Sequence, residues 1–132
     1  MSRSHKIVFN KARGVYEAAL TEEHVVGVIR QLLELNGARV NRIVERIPWG
    51  KTTSTPGVPD LAGWFTKPTV AHPGLVFPLH FWIEIKKPGG KRRPAQIAWI
   101  EQAQKDGIIA FFADSINQMV EEFKLRGIVL RT

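Results

Sequence analysis

Apolar residues first recur at helical spacing after position 21. Val25, Val28, Ile29, Leu32, Leu33 and Leu35 return in steps that place them on one side of a helix. Thr21 ahead of them is a residue type that caps free helical N–H groups, and Glu22 and Glu23 fall in the first turn, where the helix dipole favours acids. Asn36-Gly37 supplies a left-handed stop. The period then shortens to two. Arg39 to Ile47 mixes β-branched and charged residues and reads as a strand with a wet face, and Val58 to Phe65 reads as a second, short strand. Leu79 to Lys86 is the strongest strand, with Phe81, Ile83 and Ile85 alternating against Trp82, Glu84 and Lys86. Helical spacing resumes behind Pro94 at Ile97, Ile100 and Ala103 or Gln104, and runs to Gly107. Ile108 to Ala113 forms a short apolar strand, and Ser115-Ile-Asn-Gln118 is a capping box that opens a last helix to about Arg126, ended by Gly127.

Between these segments, Pro48 to Gly57 and Lys67 to Gly74 carry the Pro, Gly, Ser and Thr of loops, and Pro88-Gly-Gly-Lys-Arg-Arg93 is a basic turn. Residues 1–20 are basic and weakly patterned, an arm or a short helix around Val15 to Leu20. The expected order is helix, strand, strand, strand, helix, strand, helix. It defines an α/β class with one domain over residues 21–132, and there are no internal repeats.

Composition narrows the partners. A chain of 132 residues, 44% of them apolar, can bury one core and not two. No apolar run reaches the ~18 residues of a membrane span. The basic N-terminus has no apolar segment behind it, so no secretory signal is expected. The absence of cysteine excludes disulfides, thiolate metal sites and a cysteine nucleophile. It suits a reducing compartment, and the expected location is the cytoplasm. Nineteen Lys and Arg against twelve Asp and Glu leave a net charge of +7 and a pI near 10.2. A polyanion gains from such a surface by attraction and counterion release, with nucleic acid the first candidate and an anionic membrane the second.

Candidate chemistry gathers on the strongest strand. Residues two apart share a face, so Glu84 and Lys86 emerge side by side while Ile83 and Ile85 turn to the other side. A charged pair in so apolar a strand needs a partner or a task. Asp60, after the turn-like Gly57-Val58-Pro59, is placed to join them from the end of the neighbouring strand. Phosphodiester cleavage needs a divalent cation to offset developing charge, a water to attack, and a positive group to hold that water or the phosphate. Asp60, Glu84 and the Ile85 carbonyl are hard oxygen ligands suited to Mg²⁺, and Lys86 is the positive group.

Gly57-Val-Pro-Asp60-Leu, Trp82-Ile-Glu84-Ile-Lys86-Lys87-Pro88-Gly-Gly-Lys91 and Gln96-Ile-Ala-Trp99 together resemble the PD-(D/E)-x-K nuclease superfamily, and more narrowly the VRR-NUC (virus-type replication-repair nuclease) group. The resemblance spans roughly residues 21 to 114. It implies a restriction-endonuclease-like mixed central sheet flanked by helices, and hydrolysis of DNA phosphodiester bonds with Mg²⁺ or Mn²⁺. It assigns metal binding to Glu22, Asp60, Glu84 and the Ile85 carbonyl, orientation of the attacking water to Lys86, and a supporting catalytic role to Gln96. The group's first-helix glutamate matches Glu22, with the adjacent Glu23 as the alternative. Branched DNA such as a four-way Holliday junction is the implied substrate, cut as an endonuclease. A homodimer suits that symmetry, and a phage source, hence the host cytoplasm, is implied with it.

Some residues carry less. His5, His24, His72 and His80 lack metal-ligand spacing, and Gly89-Gly90-Lys91 lacks the pattern of a phosphate-binding loop. Trp99 is expected in the core and Trp49 as a stacking candidate. Lys51, Lys87, Lys91, Arg92 and Arg93 are the expected contacts to the nucleic-acid backbone. The alternative function is a non-catalytic nucleic-acid-binding module that retains the nuclease fold.

Overall fold

The computed structural model describes residues 7–10, 15–18, 21–43, 45–47, 50–52, 56–66 and 78–132. Strands β1 (Ile7–Asn10) and β2 (Val15–Ala18) precede helix α1 (Glu22–Leu35). Strands β3 (Ala38–Arg42), β4 (Glu45–Ile47), β5 (Gly50–Thr52), β6 (Leu61–Phe65) and β7 (Leu79–Ile85) follow, then helix α2 (Pro94–Lys105), strand β8 (Ile109–Ala113) and helix α3 (Ile116–Leu125). The central sheet has the order β3-β6-β7-β8. Its first three strands are antiparallel and β8 runs parallel to β7. This is the mixed, helix-flanked sheet that the resemblance implies.

Three expectations are corrected. The N-terminal segment around Val15 is not helical: β2 pairs antiparallel with β1, and the β-branched and aromatic residues in Ile7-Val8-Phe9 and Val15-Tyr16 favour that choice. The single strand expected over Arg39 to Ile47 divides into β3 and β4, and part of the expected 48–57 loop is β5, paired back onto β4. The strand expected from Val58 begins only at Leu61, because Pro59 has no N–H to give to a ladder. Trp49 and the 67–74 loop fall outside the described residues.

Helices α1 and α3 cover one face of the sheet. Val25, Ile29 and Leu33 of α1 and Met119 and Phe123 of α3 pack with Leu61, Phe65, Phe81, Ile83, Ile85 and Phe111. Phe123 is the hub, its ring 5.5, 5.6 and 5.0 Å from those of Phe65, Phe81 and Phe111. Helix α2 lies on the other face, where Ile100 and Ala103 meet Ala110 and Phe112, and Trp82 and Trp99 pack beside them. Trp99 therefore serves the smaller core, with its ring 5.2 Å from Trp82.

Local signals set the helix ends. The Thr21 hydroxyl accepts from His24 N–H, and Ser115 accepts from Gln118 N–H. At the end of α1 the left-handed residue is Gly37, with φ of 81°, while Asn36 is buried and has another use. Its amide donates to the Leu32 and Arg131 carbonyls and accepts from Arg131 N–H. This pair of bonds ties the C-terminal segment, with its buried Ile128 and Leu130, to α1.

Both outer strands of the central sheet are met by long side chains. Arg30 reaches the Val40 carbonyl of β3, and Gln104 and Arg126 reach the Ala110 carbonyl of β8. Such contacts blunt edges that would otherwise pair with another chain.

Candidate functional site

The site forms where β7 ends. Glu84 and Ile85 are its last two residues, and Ile85 is sealed into the core beneath α1 and α3. Alternation then turns Glu84 to the α2 side, where it is only 3% exposed. A carboxylate in so dry a place needs compensating partners. Glu84 Oε1 accepts a hydrogen bond from Gln96 Nε2 at 2.9 Å and lies 3.7 Å from Lys86 Nζ.

Asp60 enters by a different device. Strand β6 pairs with β7 only as far as Leu61 opposite Ile83. Two residues on, the Ile85 N–H faces the same way with no β6 residue opposite it. The Asp60 carboxylate replaces the missing strand: Oδ2 accepts from Ile85 N at 3.0 Å. N–H and C=O of one strand residue point to the same side, so the Ile85 carbonyl opens toward Asp60. The next backbone N–H, of Lys86, points the other way and donates to Ala113 of β8.

Two contacts hold the Asp60 loop at this place. Ile43 N–H donates to the Asp60 carbonyl. Gly57 lies so close to α2 that a Cβ there would sit 2.3 Å from the Ala95 carbonyl oxygen, and its φ is +85°. Both the left-handed backbone and the close approach require glycine. The glycine of the Gly-x-Pro-Asp entry is thus the point where this loop docks on the first turn of α2.

Gln96 joins the same turn to the site. Its Oε1 accepts from Arg93 N–H at 3.0 Å, capping α2, while its Nε2 holds Glu84. The cap fixes which end of the amide faces the carboxylate. Pro94 at the first helical position and Gln96 two residues on read as a helix start in the sequence, but the inward reach to Glu84 does not.

The basic turn stands beside this. Lys87 to Gly90 close a β-turn through Gly90 N–H and the Lys87 carbonyl, with Pro88 and the left-handed Gly89 in the middle. Lys87, Lys91, Arg92 and Arg93 are all exposed. Arg92 also stacks over the Phe112 ring at 4.3 Å. Strand β5 contains Lys51, whose side chain lies outside the described residues, as do His5 and His72. His24 and His80 are exposed.

Glu22 opens α1 and is half-buried. Its neighbour Glu23 is gripped by the Arg42 guanidinium, with Arg42 Nη1 2.7 Å from Glu23 Oε2. Among the described residues no three His, Cys, Asp or Glu side chains form a group that could hold a metal ion. The structure thus brings together Asp60, Glu84, Ile85, Lys86 and Gln96, and does not gather Glu22 into one such cluster with Asp60 and Glu84. The donors at hand are all oxygens. Two carboxylates and a carbonyl fit Mg²⁺, which keeps several waters and takes few protein ligands.

No family model matches this sequence, and no curated protein matches it. Two solved structures do match. One, described as a VRR_NUC domain, superposes with a TM-score of 0.55 over 80% of this chain and 97% of that one, at 20% identity. The second, a VRR_NUC domain protein, gives 0.47 over 80% and 87%, at 23% identity.

Proposed function

We propose, from the fold it shares with a VRR_NUC domain and from the side chains gathered at the end of β7, that this chain is a metal-dependent deoxyribonuclease that hydrolyses DNA phosphodiester bonds. The observation that carries the reading is the meeting of Asp60, Glu84 and Lys86 at one strand end, with Asp60 held on the Ile85 N–H. Asp60, Glu84 and the Ile85 carbonyl would hold Mg²⁺ or Mn²⁺. Bound there, the cation would polarise the phosphate and offset the charge that develops during cleavage.

The chain's own groups do the rest. Asp60 commits Oδ2 to the backbone and keeps Oδ1 for a ligand. Gln96 fixes the Glu84 carboxylate so that it needs no rearrangement on binding. Lys86, with a side chain only 12% exposed, offers a fixed positive charge to the attacking water. Lys87, Lys91, Arg92 and Arg93 would guide the phosphate backbone to it, and Lys51 extends this set. Glu22, expected as a further metal ligand, is not grouped with Asp60 and Glu84 among the described residues, so it would stand outside the ion's direct ligands. Branched DNA, such as a four-way junction, is the proposed substrate for endonucleolytic cutting, and a homodimer would present two such sites.

The test is incubation with linear, flapped and four-way DNA in Mg²⁺, in Mn²⁺ and in chelator. Cleavage is expected in either metal, none in chelator, and about a 10²-fold slower rate for Lys86→Ala, the scale seen when one preorganised charge-stabilising group is removed. A wild type inert on all three DNAs, or a Lys86→Ala variant as fast as wild type, overturns the reading.

Gln96 gives a separate prediction. Gln96→Ala is expected to slow cleavage by about 10–100-fold, the usual effect of losing the group that orients a metal ligand. Its melting temperature should fall by only a few degrees, since a lost helix cap costs about 1 kcal/mol. Equal loss of folded protein and of rate would show the residue to be structural only.

A further inference from the structure

Cross-strand register aligns a row of side chains on the face that carries Glu84. Arg39 pairs with Trp64 and Trp64 pairs with His80. Their neighbours Ala38, Val40, Phe65 and Phe81 are buried against α1 and α3, so Arg39, Trp64 and His80 turn to the opposite face, as Glu84 does. Helix α2 packs over Ala110 and Phe112 at the β8 side of that face. Toward β3 the face opens: Arg39, Asn41 and His80 are exposed and Trp64 is half-buried. The Trp64 and His80 rings lie 6.1 Å apart. Trp64, Arg39 and Asn41 line a groove of about 470 Å³ that continues round the β3 edge to Arg30. From His80 to Glu84 is four residues along one strand, roughly 13 Å at the usual rise.

We propose that this row binds an unpaired DNA strand, with Trp64 and His80 as the stacking platform for bases and Arg39 as a phosphate contact. Aromatic rings grip bases only when those bases are free of a partner, and a cationic residue alongside follows the backbone. Charge complementarity favours this occupant: Arg30 and Arg39 line the groove, its one acid, Glu34, is paired with Arg30, and the chain carries a net charge of +7. The proposal rests on the nuclease reading for its meaning: the row would hold a single-stranded segment a few nucleotides from the cutting site. Among branched DNAs it favours those that expose an unpaired strand beside the cut, such as a flap, over a fully paired junction.

The test is binding of a fluorescently labelled oligothymidine to the full chain in chelator, followed by anisotropy, with a fully paired duplex alongside. Trp64→Ala is expected to weaken oligothymidine binding about tenfold, within the range for loss of one base–aromatic stack. Duplex binding should change less than twofold. Trp64→Phe should recover most of the affinity, which separates lost stacking from lost folding. Arg39→Ala should lower the dependence of log affinity on log salt by about 0.7. Unchanged binding by Trp64→Ala, equal weakening for duplex and single strand, or no recovery in Trp64→Phe overturns the proposal. Chelator keeps cleavage out of the measurement. A chain that binds the strand through Trp64 but never cuts DNA sinks the nuclease reading alone.

Discussion

Asp60→Asn is expected to slow DNA cleavage in Mg²⁺ by about 10³-fold or more while leaving the fold intact. The substitution is close to isosteric, and the amide oxygen can still accept from Ile85 N–H as the carboxylate oxygen does at 3.0 Å. The end of β7 therefore keeps its ladder contact. What disappears is the charge and the anionic oxygen offered to the cation. A metal's stabilisation of a phosphoryl transition state amounts to several kcal/mol, and each 1.36 kcal/mol is a factor of ten in rate. Single-turnover cleavage of end-labelled DNA measures the rate, and thermal denaturation checks that the melting temperature stays within a few degrees. Glu22→Gln is the internal contrast. Because Glu22 is not gathered with Asp60 and Glu84, its loss is expected to cost less than about tenfold. A rate for Asp60→Asn above a tenth of wild type would remove Asp60 from the proposed site.

Gly57→Ala is expected to destabilise the protein by about 2–6 kcal/mol. A non-glycine residue held at positive φ costs about 1–3 kcal/mol. At φ of +85° a Cβ would also fall 2.3 Å from the Ala95 oxygen and 2.7 Å from the Ala95 carbonyl carbon. Both are backbone atoms of α2, which cannot swing aside as the end of a flexible side chain can, and overpacking of this kind adds about 1–3 kcal/mol. The melting temperature should drop by roughly 10 °C. Gly89→Ala is the matched control: its φ is +76°, but a Cβ there meets nothing within 4 Å, so only the backbone strain remains. Comparing the two melting curves isolates the contact with α2. Equal shifts for the two variants would mean that the docking of the Asp60 loop on α2 contributes nothing. Cleavage by Gly57→Ala should also fall at temperatures where it is folded, since Asp60 is three residues from the clash and Gln96 is the residue after Ala95.

Much of this arrangement is legible in the order of residues. The three helices follow from Thr21, Pro94 and Ser115 at their starts and from apolar spacing within them. Strand β7 announces itself by the alternation of Phe81, Ile83 and Ile85, and the same alternation sends Glu84 to the face away from the main core. Buried periodicity is a local property, because a face of a helix or strand repeats within a few residues.

Other features depend on atoms far apart in the chain. Nothing near Arg42 marks the break between β3 and β4, and the short β1–β2 and β4–β5 pairs have too few residues to show a period. Glu22 and Glu23 are equivalent first-turn acids until Arg42, 19 residues from Glu23, grips one of them. Asn36 looks like a helix stop and is also the clamp on Arg131, 95 residues away. Gly57 looks like a turn residue until its distance from Ala95 is known. Arg39, Trp64 and His80 become a row only through strand register.

Asp60, Glu84 and Lys86 were readable as residues of the right chemistry on suitable elements, because side-chain type and alternation are written locally. Alternation and the turn before Asp60 also point to their meeting, but not to the contacts that fix it. It depends on a strand that begins one residue after Asp60, on a carboxylate standing in for the missing ladder acceptor of Ile85, and on a helix cap whose amide turns inward to Glu84. Each joins segments that only chain packing brings within hydrogen-bond distance.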